Sequence, residues 1–170
     1  MLVGLKVPEY PIDLDADPFF VPKGFEVEKH IKGGKLAWNP SGRKPKIELY
    51  LSKAQRRGIV QGNKLFEDLE RLPDRRVINS NALFYLYENV PQLHRIIPES
   101  WKYDELSQLR YIMFWGTWYR YQGDLCVLHL QWNTLLRKWE WGYCWVNNYV
   151  NSFYSAALLV EDNSSVQKFE

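Results

Sequence analysis

Apolar residues recur at two different periods along this chain, and the change between them marks out its parts. Lys46 to Leu51 alternates, with Ile47, Leu49 and Leu51 on one face and Glu48 and Tyr50 on the other, which predicts a half-buried strand. Phe25 to Ile31 predicts a strand too, turned by Gly33-Gly34 into Lys35 to Trp38. Asn39-Pro40-Ser41-Gly42 is a loop signal. Ser52-Lys53-Ala54-Gln55 has capping-box spacing and predicts a short helical turn that stops at Gly58. The period then becomes helical. Leu65, Phe66, Leu69 and Leu72 share a face of a helix capped by Asn63 and running through Arg71, with Pro73-Asp74 ending it. Asn79-Ser80-Asn81 caps a second helix, Ala82 to Asn89, whose inner stripe is Leu83, Leu86 and Tyr87. Pro91 and Pro98 prevent a long continuation.

From Tyr111 the texture turns to β. Tyr111 to Arg120 is rich in aromatic and β-branched residues. Tyr121-Gln122-Gly123-Asp124 is a hairpin turn into Leu125 to Trp132, and Asn133 to Arg137 connects to a third strand, Lys138 to Val146. Asn147 to Ser152 is a polar, Asn-rich loop, and Phe153 to Val160 a fourth strand. Short connections favour an antiparallel meander.

Composition adds limits. The 170 residues suit about one domain, 46% hydrophobic content supplies a core, and 22 Lys+Arg against 20 Asp+Glu leave +2. A wholly disordered chain is excluded. No apolar run reaches the roughly 18 residues of a membrane span. Met1 to Pro8 is broken too soon by proline to be a secretory signal, so a cytoplasmic location is expected. Two cysteines exclude a disulfide scaffold. Residues 1–22 hold four of the nine prolines and read as an extended arm, loose or pinned to the body by Phe19-Phe20. Residues 161–170 read as a polar tail, and Asn163-Ser164-Ser165 as a glycosylation acceptor with no secretory route to use it.

No catalytic constellation stands out. His30, His94 and His129 lack local metal-ligand spacing, and Gly-x-Ser-x-Gly is missing. His129 could meet Asp124 or Glu140 across a sheet, or be a surface or satisfied histidine. Gly58 to Lys64 falls short of a phosphate loop, because the glycines are one residue too close and Leu65 replaces the magnesium-binding Ser or Thr. No enzyme activity, metal or cofactor is expected. Cys126 and Cys144 fall on two predicted strands, either close enough to approach or simply small buried hydrophobes. Residues 23–57 carry ten Lys/Arg and three Glu, with Phe25, Trp38 and Tyr50 interleaved. Lys44, Lys46, Arg56 and Arg57 could neutralise phosphates while rings stack on bases, so a nucleic-acid-binding accessory role through residues 29–57 is the alternative function. A solvated basic face is the simpler reading.

The main anomaly lies near the end. There are 27 aromatic residues in the chain, and residues 111–154 hold 14 of them. Trp139, Trp141, Tyr143 and Trp145 recur at period two, so in a strand they share one face and form a scaffold wall. Glu140, Gly142 and Cys144 take the other face. With Asn147, Asn148, Val150, Asn151, Ser152 and Phe153 of the following segment they make a mixed polar and apolar set on a rigid backing, suited to adaptable binding.

Several pieces resemble a group of small uncharacterised proteins from candidate-phyla bacteria. These are Lys46-Ile47-Glu48-Leu49-Tyr50-Leu51-Ser52-Lys53, Ile97-Pro98-Glu99-Ser100-Trp101-Lys102, Phe114-Trp115-Gly116-Thr117, and the ring pattern followed by a polar loop and Ala156-Ala157. The end segment is similar to that of variable target proteins of diversity-generating retroelements, in which error-prone reverse transcription alters adenines. Asn147, Asn148 and Asn151 suit adenine-rich codons. The resemblance implies variable, ligand-binding residues displayed on a C-type-lectin-like scaffold. Ser155 stands where that group has Pro and Val146 where it has Leu, and no Gly-Gly-Ser-Trp segment is present.

The expectation is an α+β fold. A basic N-terminal β/loop part, two short helices and a C-terminal antiparallel sheet over 110–160 form one domain, 23–160, between the arm and the tail. Its expected function is non-enzymatic binding of a protein or surface ligand through a variable C-terminal surface.

Overall fold

A computed structural model of the chain describes residues 10–38, 46–89 and 97–160. The first nine residues of the arm, the 39–45 loop with Arg43 and Lys44, Pro91, His94 and the 161–170 tail lie outside the described residues. The fold is α+β. Strands β1 (Tyr10–Asp13), β2 (Phe25–His30), β3 (Lys35–Trp38) and β4 (Lys46–Tyr50) come first. Helix α1 (Lys53–Arg57), strand β5 (Val60–Gln61), helix α2 (Gly62–Glu70), strand β6 (Arg75–Val77) and helix α3 (Ser80–Asn89) follow. After a 3-10 turn at Glu99–Trp101 come β7 (Tyr111–Met113), β8 (Thr117–Tyr121) and β9 (Asp124–Asn133). The last elements are β10 (Lys138–Trp145), β11 (Tyr149–Val150) and β12 (Tyr154–Val160).

Local signals are realised closely. Ser52 and Gln55 form a reciprocal capping box on α1, and Gly58 ends the helix. Leu65, Phe66 and Leu69 are buried on α2 as their spacing requires. The helix starts two residues early, with Gln61 rather than Asn63 in the capping position. Asn63 spends its side-chain oxygen on the neighbouring Lys64 N–H. On α3 the buried apolar positions are Ala82, Leu83, Phe84 and Leu86, and Tyr87 turns outward. Phe84 replaces Tyr87 because this helix is covered on two sides, by the sheet and by the arm, where Phe20 packs edge-on at 5.0 Å.

Long-range pairing departs from expectation. β2 and β3 form no hairpin: β3 pairs with β1, and β2 pairs with β8. The β-rich stretch from Tyr111 is broken at Phe114–Gly116 into β7 and β8, which lie along the same edge of β9. A close backbone crossing forces the break. The Gly116 N–H donates to Ile78 O at 2.9 Å, and its carbonyl accepts from Ile31 N at 2.7 Å. A Cβ there would stand 2.6 Å from Asn79 N. β8, β9 and β10 do form an antiparallel meander. The fourth predicted strand, β12, leaves it, pairing parallel with β7 and antiparallel with β4 and β6.

The resulting eight-stranded mixed sheet separates two cores. Cys126, Leu128 and Leu130 of β9 face α3 and the two-stranded β1–β3 sheet, whereas Val127 faces α2. Alternate side chains of one strand therefore serve opposite layers. A buried polar knot locks the α3 side. Asn79 donates to Leu14 O and Ile31 O, Asn81 donates to Asp13 O and Ala16 O, and Ser80 bonds Tyr119 OH at 2.6 Å. The predicted cap residues thus also tie down the arm.

Candidate functional site

β10 pairs with β9 over its whole length, from Lys138↔Asn133 to Trp145↔Cys126. Its period-two rings share the α3 face, but they are not one core wall. Trp139 is buried at 5% exposure, packed edge-on to Trp132 at 5.6 Å. Trp141 is half-buried against Phe84 and Phe25. Tyr143 is 40% exposed and Trp145 half-exposed. These two meet each other at 5.2 Å and both meet Tyr121, which stacks on Phe25 at 4.2 Å. Ring burial is greatest at Trp139 and lessens along the strand, because aromatic neighbours rather than a helix back the far end.

The opposite face is largely committed to structure. Gly142 lies across from His129, and a Cβ on it would stand 2.7 Å from the ring Cε1. His129 packs edge-on to Tyr111 at 5.1 Å, and its buried Nδ1 has no hydrogen-bond partner among the described residues. Burial holds the ring pKa down, to about 4. No hydrogen bond or ion pair joins it to Asp124 or Glu140 among the described residues. Glu140 instead accepts from Asn133 Nδ2 at 3.1 Å and lies 4.0 Å from Lys138 Nζ. Cys144 packs against the α2-side core, and burial pushes its thiol pKa up. Cys126 points to the other layer with its pKa raised to about 12, so the two free thiols occupy opposite faces.

The segment after β10 is not one loop. Val146 N donates to Leu125 O, Asn148 N to Trp145 O and Gly62 N to Asn148 O, all within 3.0 Å. Gln61 Nε2 adds a 3.3 Å bond to Asn147 O. Main-chain carbonyls hold this turn, and the side chains of Asn147 and Asn148 make no hydrogen bond with the described residues. β11 then pairs with β5 and buries Val150 completely. Asn151 is fixed at both ends: its side chain accepts from Phe153 N, and its carbonyl accepts from Gln55 Nε2. Phe153 is half-buried and its carbonyl accepts from Tyr111 N. Ser152 borders a separate groove of about 340 Å³ beside Arg56 and Arg110.

The nine expected contact residues therefore divide. Val150 is core, because its neighbour Tyr149 takes the outward side of the two-residue strand. Gly142 is obligatory packing. Asn147 and Asn148 join Trp145, Asp124 and Leu125 around a notch of about 200 Å³. Tyr149, 65% exposed, follows directly. Sequence reasoning missed Asp124, Tyr121 and Phe25 as members of this end of the molecule. The Tyr121-Gln122-Gly123-Asp124 turn was the available signal, since its hairpin brings Asp124 back beside Tyr121. Nothing local announces Phe25, which arrives through the β2–β8 pairing.

The basic residues spread over several surfaces. Lys29 Nζ sits 4.6 Å from the Phe66 ring centre and 5.4 Å from that of Trp118. Lys35 pairs with Asp13 at 2.6 Å, while Arg56 and Arg57 end α1 in the open. Lys44 and the Lys46 side chain lie outside the described residues. His30 is satisfied by Thr117 Oγ1 and Ala16 O. Among the described residues no group of three or more His, Cys, Asp or Glu could hold a metal, and no helix is long and apolar enough to cross a membrane. Compared with family models, with curated proteins and with solved structures, the chain matches none.

Proposed function

We propose that this chain is a non-enzymatic ligand-binding protein whose contact surface is the end of the sheet formed by Tyr143, Trp145, Asn147, Asn148 and Tyr149, beside Asp124. One observation carries the reading: hydrogen bonds to main-chain carbonyls hold the Trp145–Asn148 turn at both ends, while the outward side chains of Asn147 and Asn148 make no hydrogen bond with the described residues. Side chains there can change without breaking a ladder or opening a cavity. Half-exposed rings beside them offer large contact area at small entropic cost. That is the physical requirement of a surface built to vary, and it supports a role like that of a diversity-generating retroelement target. The reading rests on this turn and not on a lectin-like scaffold.

A saturation library over residues 138–153, sorted for folded protein, tests it. Positions 143, 147, 148 and 149 should accept most residues within about 0.5 kcal/mol, as ordinary surface sites do. Positions 142, 150 and 151 should not. Sorting the folded members against a panel of purified proteins and glycans should return binders that differ at the tolerant positions. Equal intolerance at both sets of positions would sink the proposal. At the DNA level, a reverse-transcriptase gene with a template repeat matching codons 138–157 is expected nearby, and its absence removes the retroelement part.

A further inference from the structure

Sheet edges expose rows of backbone donors and acceptors, and stable monomers usually blunt them with bulges, charges, proline or shortness. Two edges here are blunted. β2 is interrupted by a register shift between Val27 and Lys29 and carries Glu26, Glu28 and Lys29. β4 is five residues long. β10 differs: it runs eight residues in unbroken register with β9, without proline, and no other described strand pairs with it.

The direction of its free groups follows from the ladder. Val146 N donates to Leu125 O, so Cys144, Gly142 and Glu140 turn their backbone groups toward β9. Trp139, Trp141 and Tyr143 turn theirs outward, and Trp145 turns its N–H outward while its carbonyl already accepts from Asn148 N. Phe114 N donating to Leu128 O on the far side of β9 confirms the phase. The outward row belongs to the residues whose rings are half-exposed toward one end of the strand.

We propose that β10 pairs antiparallel with β10 of a second copy of this chain, about a two-fold axis at Gly142. This register sets Trp141 opposite the second copy's Tyr143, and Trp139 opposite its Trp145. Aromatic residues then meet aromatic residues on the ring face, which is the favourable cross-strand pairing. On the other face Gly142 meets its own counterpart, and Glu140 stands opposite Cys144, so no like charges oppose one another. A second copy supplies this complementarity without any further assumption, because the interface is isologous. The two sheets become continuous, and both proposed contact surfaces fall on the same side of the joined sheet. An edge-only interface is small, so the dimer is reversible and concentration-dependent.

Sedimentation equilibrium of the whole protein across about 1–300 μM tests the proposal, with Tyr143→Pro as the variant. Proline is tolerated on a strand where the lost N–H faces away from the ladder, so pairing with β9 survives while the outward donor is removed. The expected result is a monomer–dimer equilibrium whose dissociation constant rises about tenfold or more in the variant, with unchanged circular dichroism. A monomer throughout the range, or a dimer indifferent to a folded Tyr143→Pro, overturns it. Should the variant fail to fold, amide hydrogen exchange of the unaltered protein decides. Trp141 and Tyr143 amides should slow as concentration rises, and exchange that ignores concentration overturns the proposal.

Discussion

At the scale of single residues, His129 shows how a ring can be placed by what its neighbour lacks. Its ring fills the space that a Cβ on Gly142 would need, shut away from water, with one nitrogen left without a partner among the described residues. Burial favours the neutral ring, so the folded-state pKa of about 4 lies below the ordinary 6.5. Between those values the unfolded chain binds the proton and the folded chain does not. Stability from this group is therefore complete above pH 6.5 and is lost as pH falls toward 4. Comparing the protein with His129→Gln in urea melts from pH 7.5 to 4 isolates the effect. The stability difference between them should shrink by up to about 3 kcal/mol over that range. A difference that does not change with pH would show that the ring takes up its proton freely in the fold. The alternation around Gly142 was readable from sequence. Its obligation to be glycine was not, because that depends on which residue the hairpin register sets opposite.

Elements differ in how far they can be read in isolation. The α1 capping box, the α2 stripe, the hairpin turn at Gln122-Gly123 and the limits of β9, β10 and β12 are local, and each was legible in spacing or turn chemistry. Gln122 and Gly123 take positive φ angles of 51° and 86°, as a two-residue hairpin turn demands. Partner choice was not legible. β2 finds β8 and β12 finds β7 through contacts between distant residues, which no local window contains. The ring strand shows the same limit: its period was plain, but the depth of each ring depends on which layer covers it. The expected consequence is a gradient along β10. Trp139→Ala should destabilise by about 3–5 kcal/mol, as truncating a buried ring does. Tyr143→Ala should lose less than about 1 kcal/mol. Guanidinium melts of the two variants measure this directly, and equal losses would mean that Tyr143 is as deeply packed as Trp139.

For the whole molecule, one sheet serves two cores, and neither core can exist without it. Phe84 anchors the α3 side and Phe66 the α2 side, while β9 contributes side chains to both. Layers that share a strand should unfold together. Phe84→Ala and Phe66→Ala, each costing about 3–5 kcal/mol, should therefore lower one common transition rather than split it. Coincident melts by tryptophan fluorescence and far-ultraviolet circular dichroism are expected for both variants. Separated curves would show that the layers are independent. The candidate contact surface was half legible at this scale. Asn147 and Asn148 were marked by composition, whereas Asp124, Tyr121 and Phe25 joined them only through the assembled sheet.

The pairing of early strands with late ones also sets a timetable for the nascent chain. β2 leaves the ribosome long before β8, and β4 long before β12. At ordinary elongation rates of about 5–20 residues per second, each waits roughly 5–20 s for its partner. During that interval apolar residues such as Ile47 and Leu49 have no sheet to join. Slowing translation would lengthen their exposure, whereas a chaperone that holds extended segments would shield it.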